Sequence, residues 1–243
     1  MASTRQVQPK RHRASAIGWG SSILRHMKKT IVYIDGYNLY YGLLKGTSYK
    51  WLDLVKFAKL LLPTGYEVVE VKYFTSCALT YPHDPASVER QNIYLQALRG
   101  LKSLKIIKEF FKKNKVMMPV YEESCCGCPT AKNGYVRVVK LEEKRSDVNL
   151  AVEMLVDASV DEVDSLVLIT GDSDQVGTIE AVRSRFGKEV IVCNPHPRFS
   201  TNLKNAADSY KNIARNLPAV CQLSDEVSVG THGSVARRPE AWR

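Results

Sequence analysis

Four aspartates lie where α/β proteins commonly carry ligand-binding side chains, directly after predicted strands or in the first turn of a predicted helix. Asp35 directly follows the apolar run TIVYI, and Asp172 and Asp174 follow the apolar run SLVLIT. Asp147 lies in the first turn of a predicted helix. In open α/β sheets, ligands bind outside the carboxyl ends of the strands. The sequence therefore predicts that these carboxylates, from three separate stretches of chain, converge at one edge of a sheet.

A cluster of carboxylates must share protons or bind a cation, and oxygen ligands with room for water suit Mg²⁺ or Mn²⁺ better than zinc. Such an ion can polarise a phosphodiester and lower the pKa of a bound water, so that hydroxide attacks in line. Lys144 and Arg145, just before Asp147, are placed to contact a flanking phosphate, as are Arg90 and Lys72. The pattern predicts metal-dependent hydrolysis of a nucleic acid backbone.

Each of these features also has an ordinary structural interpretation. An aspartate after a strand is a common turn residue, and Asp147 can simply cap its helix. Glu153 and Asp157 lie one turn apart, off the apolar face of that helix, and are expected to be exposed. His196, in the stretch NPHP, follows a predicted strand and could reach the edge of the site, but the preferred interpretation is a rigid Pro-bounded loop. The combination of aspartates, rather than any one of them, supports the metal site.

The order of elements predicts an α/β fold with a mostly parallel sheet and helices on both faces. Strands are expected at residues 30–34, 67–75, 116–121, 135–141, 165–170 and 189–193. Helices are expected at residues 52–61, 86–101, 147–158, 178–186 and 206–217. The aspartates then fall at the carboxyl ends of strands, or at the start of a helix that packs against them.

Composition suggests one large domain with two appendages. The chain has 243 residues and 44% hydrophobic content, enough for a sizeable core. We expect a catalytic domain at residues 28–217, a basic and disordered extension at residues 1–27, and a polar tail at residues 218–243 that frays from residue 224. The net charge of +10 favours a polyanionic partner, although the basic extension supplies half of it.

The sequence argues against membrane and secreted proteins. No apolar run approaches the roughly 20 residues that cross a bilayer, and the N-terminus lacks the apolar stretch of a secretory signal. The six cysteines are irregularly spread, which suits reduced thiols. We expect a cytoplasmic protein with no membrane partner. The sequence does not determine the oligomeric state.

A cysteine-containing loop is expected at residues 122–134. Cys125 and Cys128 have the spacing of a zinc knuckle, but a structural zinc site needs four ligands and only three cysteines are local. Cys77, His83 or a more distant residue would have to complete the site. Structural Zn²⁺ and a loop of free thiols both stay open.

Three ordered motifs together resemble the NYN domains of the PIN-like nuclease superfamily. They are YIDGYNLYYG at residues 33–42, EEKRSDVNLAVEMLVDA at residues 142–158 and LITGDSDQVGTIEAVRSRFGKEVIV at residues 168–192. The resemblance covers about residues 29–217 and implies a Rossmann-like PIN-type fold with a Mg²⁺- or Mn²⁺-dependent ribonuclease site.

The resemblance also implies residue roles. Asp35, Asp147, Asp172 and Asp174 match the acidic positions of the family and would bind the metal. Asn38 matches the asparagine beside the first aspartate and would orient a carboxylate or the scissile phosphate. Many relatives have a glycine where this chain has Arg145-Ser146, and these bulkier residues would narrow the substrate cleft.

Three functions follow as hypotheses. The first is a metal-dependent endoribonuclease in which Tyr37, Asn38, Lys144, Arg145 and Ser173 contact RNA. The second is a small-molecule enzyme on the same fold, such as a hydroxylase or monooxygenase acting on a pyridine-type ring, since some similar chains act in small-molecule metabolism. The third is an RNA-binding module that does not cleave, although intact carboxylates would then repel RNA phosphates.

The tyrosines do not separate the first two hypotheses. Tyr37, Tyr40 and Tyr41 would stack equally well on a base or on an aromatic substrate. The chain lacks a G-x-G-x-x-G fingerprint after any predicted strand, so no dinucleotide cofactor is indicated.

Overall fold

The structure, a computed structural model, describes residues 27–77, 84–120, 134–144, 146–230 and 234–243. The strands are β1 (Lys28–Asp35), β2 (Tyr66–Ser76), β3 (Leu104–Pro119), β4 (Tyr135–Lys144), β5 (Ser165–Ile169), β6 (Glu189–Asn194), β7 (Ser209–Asn212), β8 (Glu226–Val229) and β9 (Ser234–Arg237). The helices are α1 (Gly36–Leu39), α2 (Leu54–Leu61), α3 (Ser87–Leu98), α4 (Ser146–Ala158), α5 (Val176–Phe186) and α6 (Thr201–Ala206). A π-helix at Tyr40–Leu44 follows α1 directly.

The central sheet has the strand order β4-β3-β2-β1-β5-β6-β7. The six neighbouring strands β3, β2, β1, β5, β6 and β7 run parallel to one another, and β4 pairs antiparallel with β3. After β1 the chain adds β2, β3 and β4 on one side of β1, and it then crosses back to add β5 on the other side of β1. The switch point of this doubly wound sheet therefore lies between β1 and β5, where such folds bind ligands. The mostly parallel α/β fold is confirmed.

Two apolar cores cover the two faces of the sheet. On one face Val32 and Ile34 pack with residues of α2 and α3, including Phe57. On the other face Tyr33 packs with residues of α4 and α5, including Met154. Successive residues of a strand point to opposite faces, so a strand covered on both sides must be apolar throughout. This double burial explains the continuous apolar runs that predicted β1 and β5.

Local signals set the ends of the helices. The Asp53 side chain accepts hydrogen bonds from the backbone amides of Val55 and Lys56, at 3.0 and 2.9 Å, and so caps α2. Gly187 ends α5 in the left-handed conformation, with φ of 64°. The end at Gly187 agrees with the sequence-based prediction, whereas α2 begins at Leu54, two residues later than predicted. None of the helices in the described ranges is long and apolar enough to span a membrane.

The region of β3 and β4 differs from the prediction of two short strands. Residues 104–109 of β3 pair in parallel with β2, and residues 110–119 of the same strand pair antiparallel with β4. The long strand was missed because its middle contains the stretch KKNK, which lacks the apolar residues that mark a strand in the sequence. The predicted cysteine loop, with Cys125 and Cys128, lies outside the described residues apart from Gly134.

The C-terminal region corrects two predictions. The expected helix at residues 206–217 was wrong, because the chain there forms β7 at the edge of the sheet and then a 3-10 turn at Leu217–Cys221. The expected frayed tail was also wrong. The β8–β9 hairpin packs on α3, and the indole Nε1 of Trp51 donates a hydrogen bond of 2.7 Å to the carbonyl of Ser224.

The last residues complete an aromatic cluster. The Trp242 ring centroid lies 6.3 Å from that of Trp51 and 6.0 Å from that of Tyr94. Trp51 is fully buried, so the C-terminal segment covers part of the core. Its polar composition concealed this role, because a few aromatic and aliphatic side chains make the contacts.

Candidate functional site at the carboxyl edge of the sheet

Asp35 ends β1 and caps α1 with a carboxylate that is buried and held on both oxygens. Oδ1 accepts a hydrogen bond from the backbone amide of Asn38 at 2.9 Å. Oδ2 accepts one from Asn38 Nδ2 at 2.6 Å and one from the Thr170 hydroxyl at 3.0 Å. Three donors offset much of the cost of burying a charged group and fix its orientation. The carboxylate is therefore preorganised rather than a mobile turn residue.

Asp172 follows β5, the strand next to β1, and is linked to Asp35 through Thr170. The Thr170 hydroxyl donates to Asp35 and accepts a hydrogen bond of 3.1 Å from the Asp172 amide. A single oxygen atom thus bridges the two segments. The Asp172 side chain is half-buried, and its Oδ1 accepts a hydrogen bond of 3.0 Å from the Asp174 amide. The structure places Asp35 and Asp172 at the same edge, beside the switch point.

Asn38 connects this pair to a third strand end. Its Oδ1 accepts a hydrogen bond of 3.2 Å from the Gly171 amide and lies 3.0 Å from Nε2 of His196. The interpretation of His196 as a loop residue outside the site was wrong, because its ring reaches the asparagine that holds Asp35. The loop after β6 is Pro-bounded as expected, but buried Asn194 holds it against the site: Asn194 Oδ1 accepts from the His196 amide at 2.8 Å.

Two glycines allow this close packing. A Cβ atom on Gly171 would lie 2.6 Å from Cδ2 of His196 and 2.8 Å from Oδ1 of Asn194. A Cβ atom on Gly36 would lie 2.5 Å from the carbonyl oxygen of Phe74 in β2. All three distances are shorter than van der Waals contact. The glycines after each strand therefore let neighbouring segments approach the two aspartates.

The other two predicted aspartates lie at the rim. Asp174 is exposed in the 3-10 turn Ser173–Gln175, together with the exposed Ser173, and Asp147 is exposed in the first turn of α4. Gln175 is buried, and its Nε2 donates a hydrogen bond of 3.4 Å to the carbonyl of Asp147. The start of α4 therefore lies beside the Asp172 turn, as the sequence predicted. Thr170, Gly171, Asn194 and Gln175 were not singled out, although polar residues directly after buried strands were a usable signal.

The donor atoms suit a hard cation that keeps several waters. Within the described ranges, no three His, Cys, Asp or Glu side chains are arranged to hold a metal ion. The predicted four-carboxylate cage is thus not assembled there. Mg²⁺, however, is commonly held by only one or two carboxylates and completes its coordination with water and substrate phosphate. Asp35 and Asp172 supply that minimum, with oxygen ligands only.

An exposed aromatic surface flanks this edge. Tyr37, Tyr40 and Tyr41 are all exposed; the Tyr37 and Tyr41 ring centroids are 4.4 Å apart, and those of Tyr40 and Tyr41 are 5.1 Å apart. Lys45 Nζ lies 4.7 Å from the Tyr41 ring centroid. The π-helix that carries Tyr40 and Tyr41 packs against the His196 loop, since a Cβ atom on Gly42 would lie 3.1 Å from the His196 ring. Rare π-helical turns often occur at functional sites.

Lys72 does not contact phosphate, contrary to the prediction. It is 3% exposed, and its Nζ lies 2.6 Å from Glu153 and 2.5 Å from Asp157. Burial alone would lower the pKa of Lys72, but the hydrogen bonds to Asp157 and Glu153 raise it overall. The expected exposure of Glu153 and Asp157 was equally wrong, because both side chains turn towards this buried lysine.

The other basic residues predicted to contact phosphate are only partly described by the structure. Arg90 pairs with Asp84, with Nη2 2.5 and 2.6 Å from the two carboxylate oxygens, so its guanidinium already has an anionic partner. The side chains of Lys144 and Arg145 lie outside the described part of the structure, and their predicted contact with phosphate stays a prediction.

The family of this chain follows from comparison with known domains. The model of the NYN domain matches residues 29–214. The chain belongs to the NYN domain family. This family is part of the PIN-like nuclease superfamily, so the resemblance inferred from the three sequence motifs is confirmed and the fold is of nuclease type.

Two similar proteins give different information. The chain is 31% identical over 237 residues to a protein of Pseudomonas putida (strain DSM 28022 / S16) named 6-hydroxy-3-succinoylpyridine 3-monooxygenase HspA, a match that covers 88% of this chain and 75% of that protein. It is 20% identical to a crystal structure of a protein of unknown function from Vibrio parahaemolyticus RIMD 2210633, which covers 78% of this chain and 94% of that one with a TM-score of 0.46.

Proposed function

We propose that this NYN domain protein is a metal-dependent endoribonuclease that uses Mg²⁺ or Mn²⁺ to hydrolyse RNA phosphodiester bonds. The observation that carries the proposal is the pair Asp35 and Asp172, which end neighbouring parallel strands and are bridged by the Thr170 hydroxyl. A pair of carboxylates at the switch point of a nuclease-type fold is a suitable place for a hard cation.

The surrounding residues support hydrolysis by positioning the two carboxylates. Asn38 donates to Asp35 through both its backbone and its side chain, and its Oδ1 accepts from Gly171, so it holds the ends of β1 and β5 together. When bound to Asp35 and Asp172, the metal would polarise the phosphodiester and activate water. Asp147 and Asp174 lie exposed at the rim, and under this proposal their carboxylates would join the coordination when RNA and metal bind.

The substrate would lie across the tyrosine surface. Stacking of a base on an aromatic side chain contributes about 1–3 kcal/mol, and it tolerates any base. Tyr37 and Tyr41 offer exposed rings next to Asp35, and Lys45 adds positive charge. Ser173, exposed beside Asp172, is placed to donate to a phosphate oxygen. The net charge of +10 favours a polyanion over a neutral substrate.

A second candidate function rests on the named monooxygenase relative. At 31% identity over most of both chains, its activity suggests hydroxylation of a pyridine-type ring for this protein as well. The same tyrosine rings would stack on that substrate, and the reaction would need dioxygen and an electron donor. The paired, hydrogen-bonded carboxylates favour the nuclease, because they provide a site for a cation. The described residues also show no dinucleotide-binding fingerprint.

The test is cleavage of a fluorescent single-stranded RNA by the full chain with Mg²⁺ or Mn²⁺. Asp35→Asn and Asp172→Asn should each abolish cleavage, and EDTA should do the same for the wild-type protein. Asp161→Asn is the matched control, because Asp161 is exposed in the turn between α4 and β5, at the opposite edge of the sheet. Melting curves of each variant exclude unfolding as the cause.

Three results would contradict the proposal. Full activity of folded Asp172→Asn would show that the carboxylate pair is not needed. RNA binding without cleavage by the wild-type protein would favour a non-cleaving RNA-binding module. Conversion of a hydroxypyridine substrate, with no action on RNA, would favour the second candidate.

A further inference from the structure

A second binding feature lies next to the carboxylate pair. An open cavity of about 470 Å³ is lined by Gly171, Asn194 and residues 196–200, at the carboxyl ends of β5 and β6. Two of its walls also belong to the candidate site: the Gly171 amide donates to Asn38, and the His196 ring lies 3.0 Å from the same Asn38 oxygen. The cavity is therefore linked to Asp35 through Asn38, whose side chain donates to that carboxylate.

The cavity presents an aromatic ring held in place. Phe199 is 56% exposed, which is unusual for so large an apolar side chain. Its ring meets the edge of Tyr210, with centroids 4.9 Å apart, and Lys204 Nζ lies 5.4 Å from its centroid. An exposed ring with a fixed orientation is a ready stacking surface for a planar ligand.

The loop that carries this ring is also preorganised. Asn194 Nδ2 donates to the carbonyl of Arg198 at 2.9 Å and to the Tyr210 hydroxyl at 2.8 Å. The same hydroxyl accepts a hydrogen bond of 3.0 Å from the Ser200 amide. Asn194 is buried and Tyr210 belongs to β7, so the loop is tied to the sheet at three points. Binding to a loop that is already ordered costs less conformational entropy.

The loop that forms one side of the cavity carries positive charge, which favours an anion on that side. Residues 195–205 contain Arg198 and Lys204 but no Asp or Glu. Arg198 is exposed, and among the residues that the structure describes none pairs with its guanidinium. A guanidinium presents donors in a planar fork that matches phosphate geometry. An unpaired arginine beside an exposed ring is therefore complementary to a ligand that joins a phosphate to a flat heterocycle.

We propose that this cavity is a subsite for the nucleotide that flanks the scissile bond, with its phosphate on Arg198 and its base against Phe199. Its role in cleavage rests on the proposed ribonuclease function. Binding of the nucleotide itself requires neither metal nor cleavage, and this separates the two proposals experimentally.

The experiment is calorimetric titration of the full chain with adenosine monophosphate in EDTA. We expect Arg198→Ala to weaken binding about 10- to 100-fold, the loss typical of a charge-assisted hydrogen bond. Phe199→Ala should weaken binding about 5- to 100-fold through lost stacking. Arg185→Ala should have no effect, because Arg185 is exposed at the far end of α5. Melting curves show whether each variant folds.

Titration with adenosine, which lacks the phosphate, separates the contribution of the phosphate to binding from that of the base. Adenosine should bind the wild-type protein more weakly than adenosine monophosphate, and Arg198→Ala should bind both equally. Two results would overturn the proposal: no binding of adenosine monophosphate by the wild-type protein, or equal binding by the wild type and both cavity variants. Tighter binding of nicotinate than of adenosine monophosphate, with the same dependence on Arg198, would overturn the nucleotide assignment in favour of an aromatic acid.

The variant Asp172→Asn separates this inference from the ribonuclease proposal. It should bind adenosine monophosphate at least as tightly as the wild-type protein in EDTA, because a carboxylate that repels the phosphate is removed, even though it is expected to lose cleavage. If the wild-type protein binds the nucleotide through Arg198 and Phe199 but cleaves no RNA, the subsite stands and the ribonuclease proposal fails.

Discussion

Replacement of Lys72 by methionine should destabilise the protein more than any change of an exposed lysine. Lys72 is the cation between two carboxylates, at 2.6 Å from Glu153 and 2.5 Å from Asp157, whose side chains are 30% and 15% exposed. Methionine has a similar volume, so little cavity forms. The variant would leave two partly buried carboxylates facing each other, with only the exposed Lys105 still in contact with Glu153.

The size of the effect follows from this burial. Removing one partner of a fully buried ion pair costs about 3–5 kcal/mol. Water can reach part of Glu153, so we expect about 2–3 kcal/mol here, after discounting for that exposure. For a chain of this length, that loss corresponds to a melting temperature lower by about 4–12 °C.

Lys105→Met is the matched control. Lys105 contacts the same carboxylate, with Nζ 3.1 Å from Glu153, but its side chain is 47% exposed. An exposed pair contributes only about 0–1 kcal/mol. Both variants therefore remove a lysine contact to Glu153; they differ in burial and in the contact to Asp157, which Lys72 makes.

The pH dependence gives a second readout. The hydrogen bond from Lys72 lowers the pKa of Glu153 below its usual value. The pair therefore stabilises the folded wild-type protein above the pKa of the unfolded carboxyl group, about 4.3, and this stabilisation is lost as the pH falls through the lower folded pKa. The variant lacks this contribution, so the difference in stability should be largest near neutral pH and shrink below about pH 4.

The assay is urea unfolding followed by circular dichroism at a series of pH values. Equal free energies of unfolding for Lys72→Met and Lys105→Met at neutral pH would refute the reasoning. A difference between Lys72→Met and wild type that stays constant down to acidic pH would also refute it, because the carboxylates would then not be the cause.

Two further predictions concern packing and thiol reactivity. Gly36→Ala should lower the free energy of unfolding by about 1–3 kcal/mol, because its Cβ would lie 2.5 Å from a backbone oxygen of β2 that cannot move alone. Urea unfolding measures this loss, and an unchanged unfolding midpoint would contradict the prediction. Burial raises the pKa of the Cys193 thiol to about 12, so native protein at pH 8 should be alkylated by iodoacetamide at exposed Cys77 and not at Cys193. Peptide mass spectrometry measures the labelling of both cysteines, and equal labelling would contradict the buried position of Cys193.

The strands around the site could be predicted because burial on two faces leaves a clear signal. The runs before Asp35 and Asp172 are almost continuously apolar, since helices cover both sides of β1 and β5. Parallel strands then bring their carboxyl ends to one edge, so the neighbourhood of the two aspartates followed from element order alone. The bridging role of Thr170 did not, because it depends on the register between two strands that are far apart in the sequence.

The errors have a common physical origin in contacts between distant segments. Lys72 looked like a surface lysine until α4 packed over β2 and brought two carboxylates to it. His196 looked like a loop residue because its partner, Asn38, lies at the opposite end of the domain sequence. Trp242 looked like part of a loose tail, although its ring covers Trp51. Composition and periodicity describe a segment by itself and carry no information on what packs against it.

The most direct test of the central claim is Mn²⁺ binding to the full chain, followed by electron paramagnetic resonance of the free ion. We expect Mn²⁺ to bind to the wild-type protein, to be lost in Asp172→Asn, and to bind about 10- to 100-fold more weakly to Asn38→Ala, since residues that orient metal ligands typically contribute that much. Wild-type protein that binds no Mn²⁺, or Asp172→Asn that binds it as tightly as wild type, would contradict the assignment of this edge as a metal site.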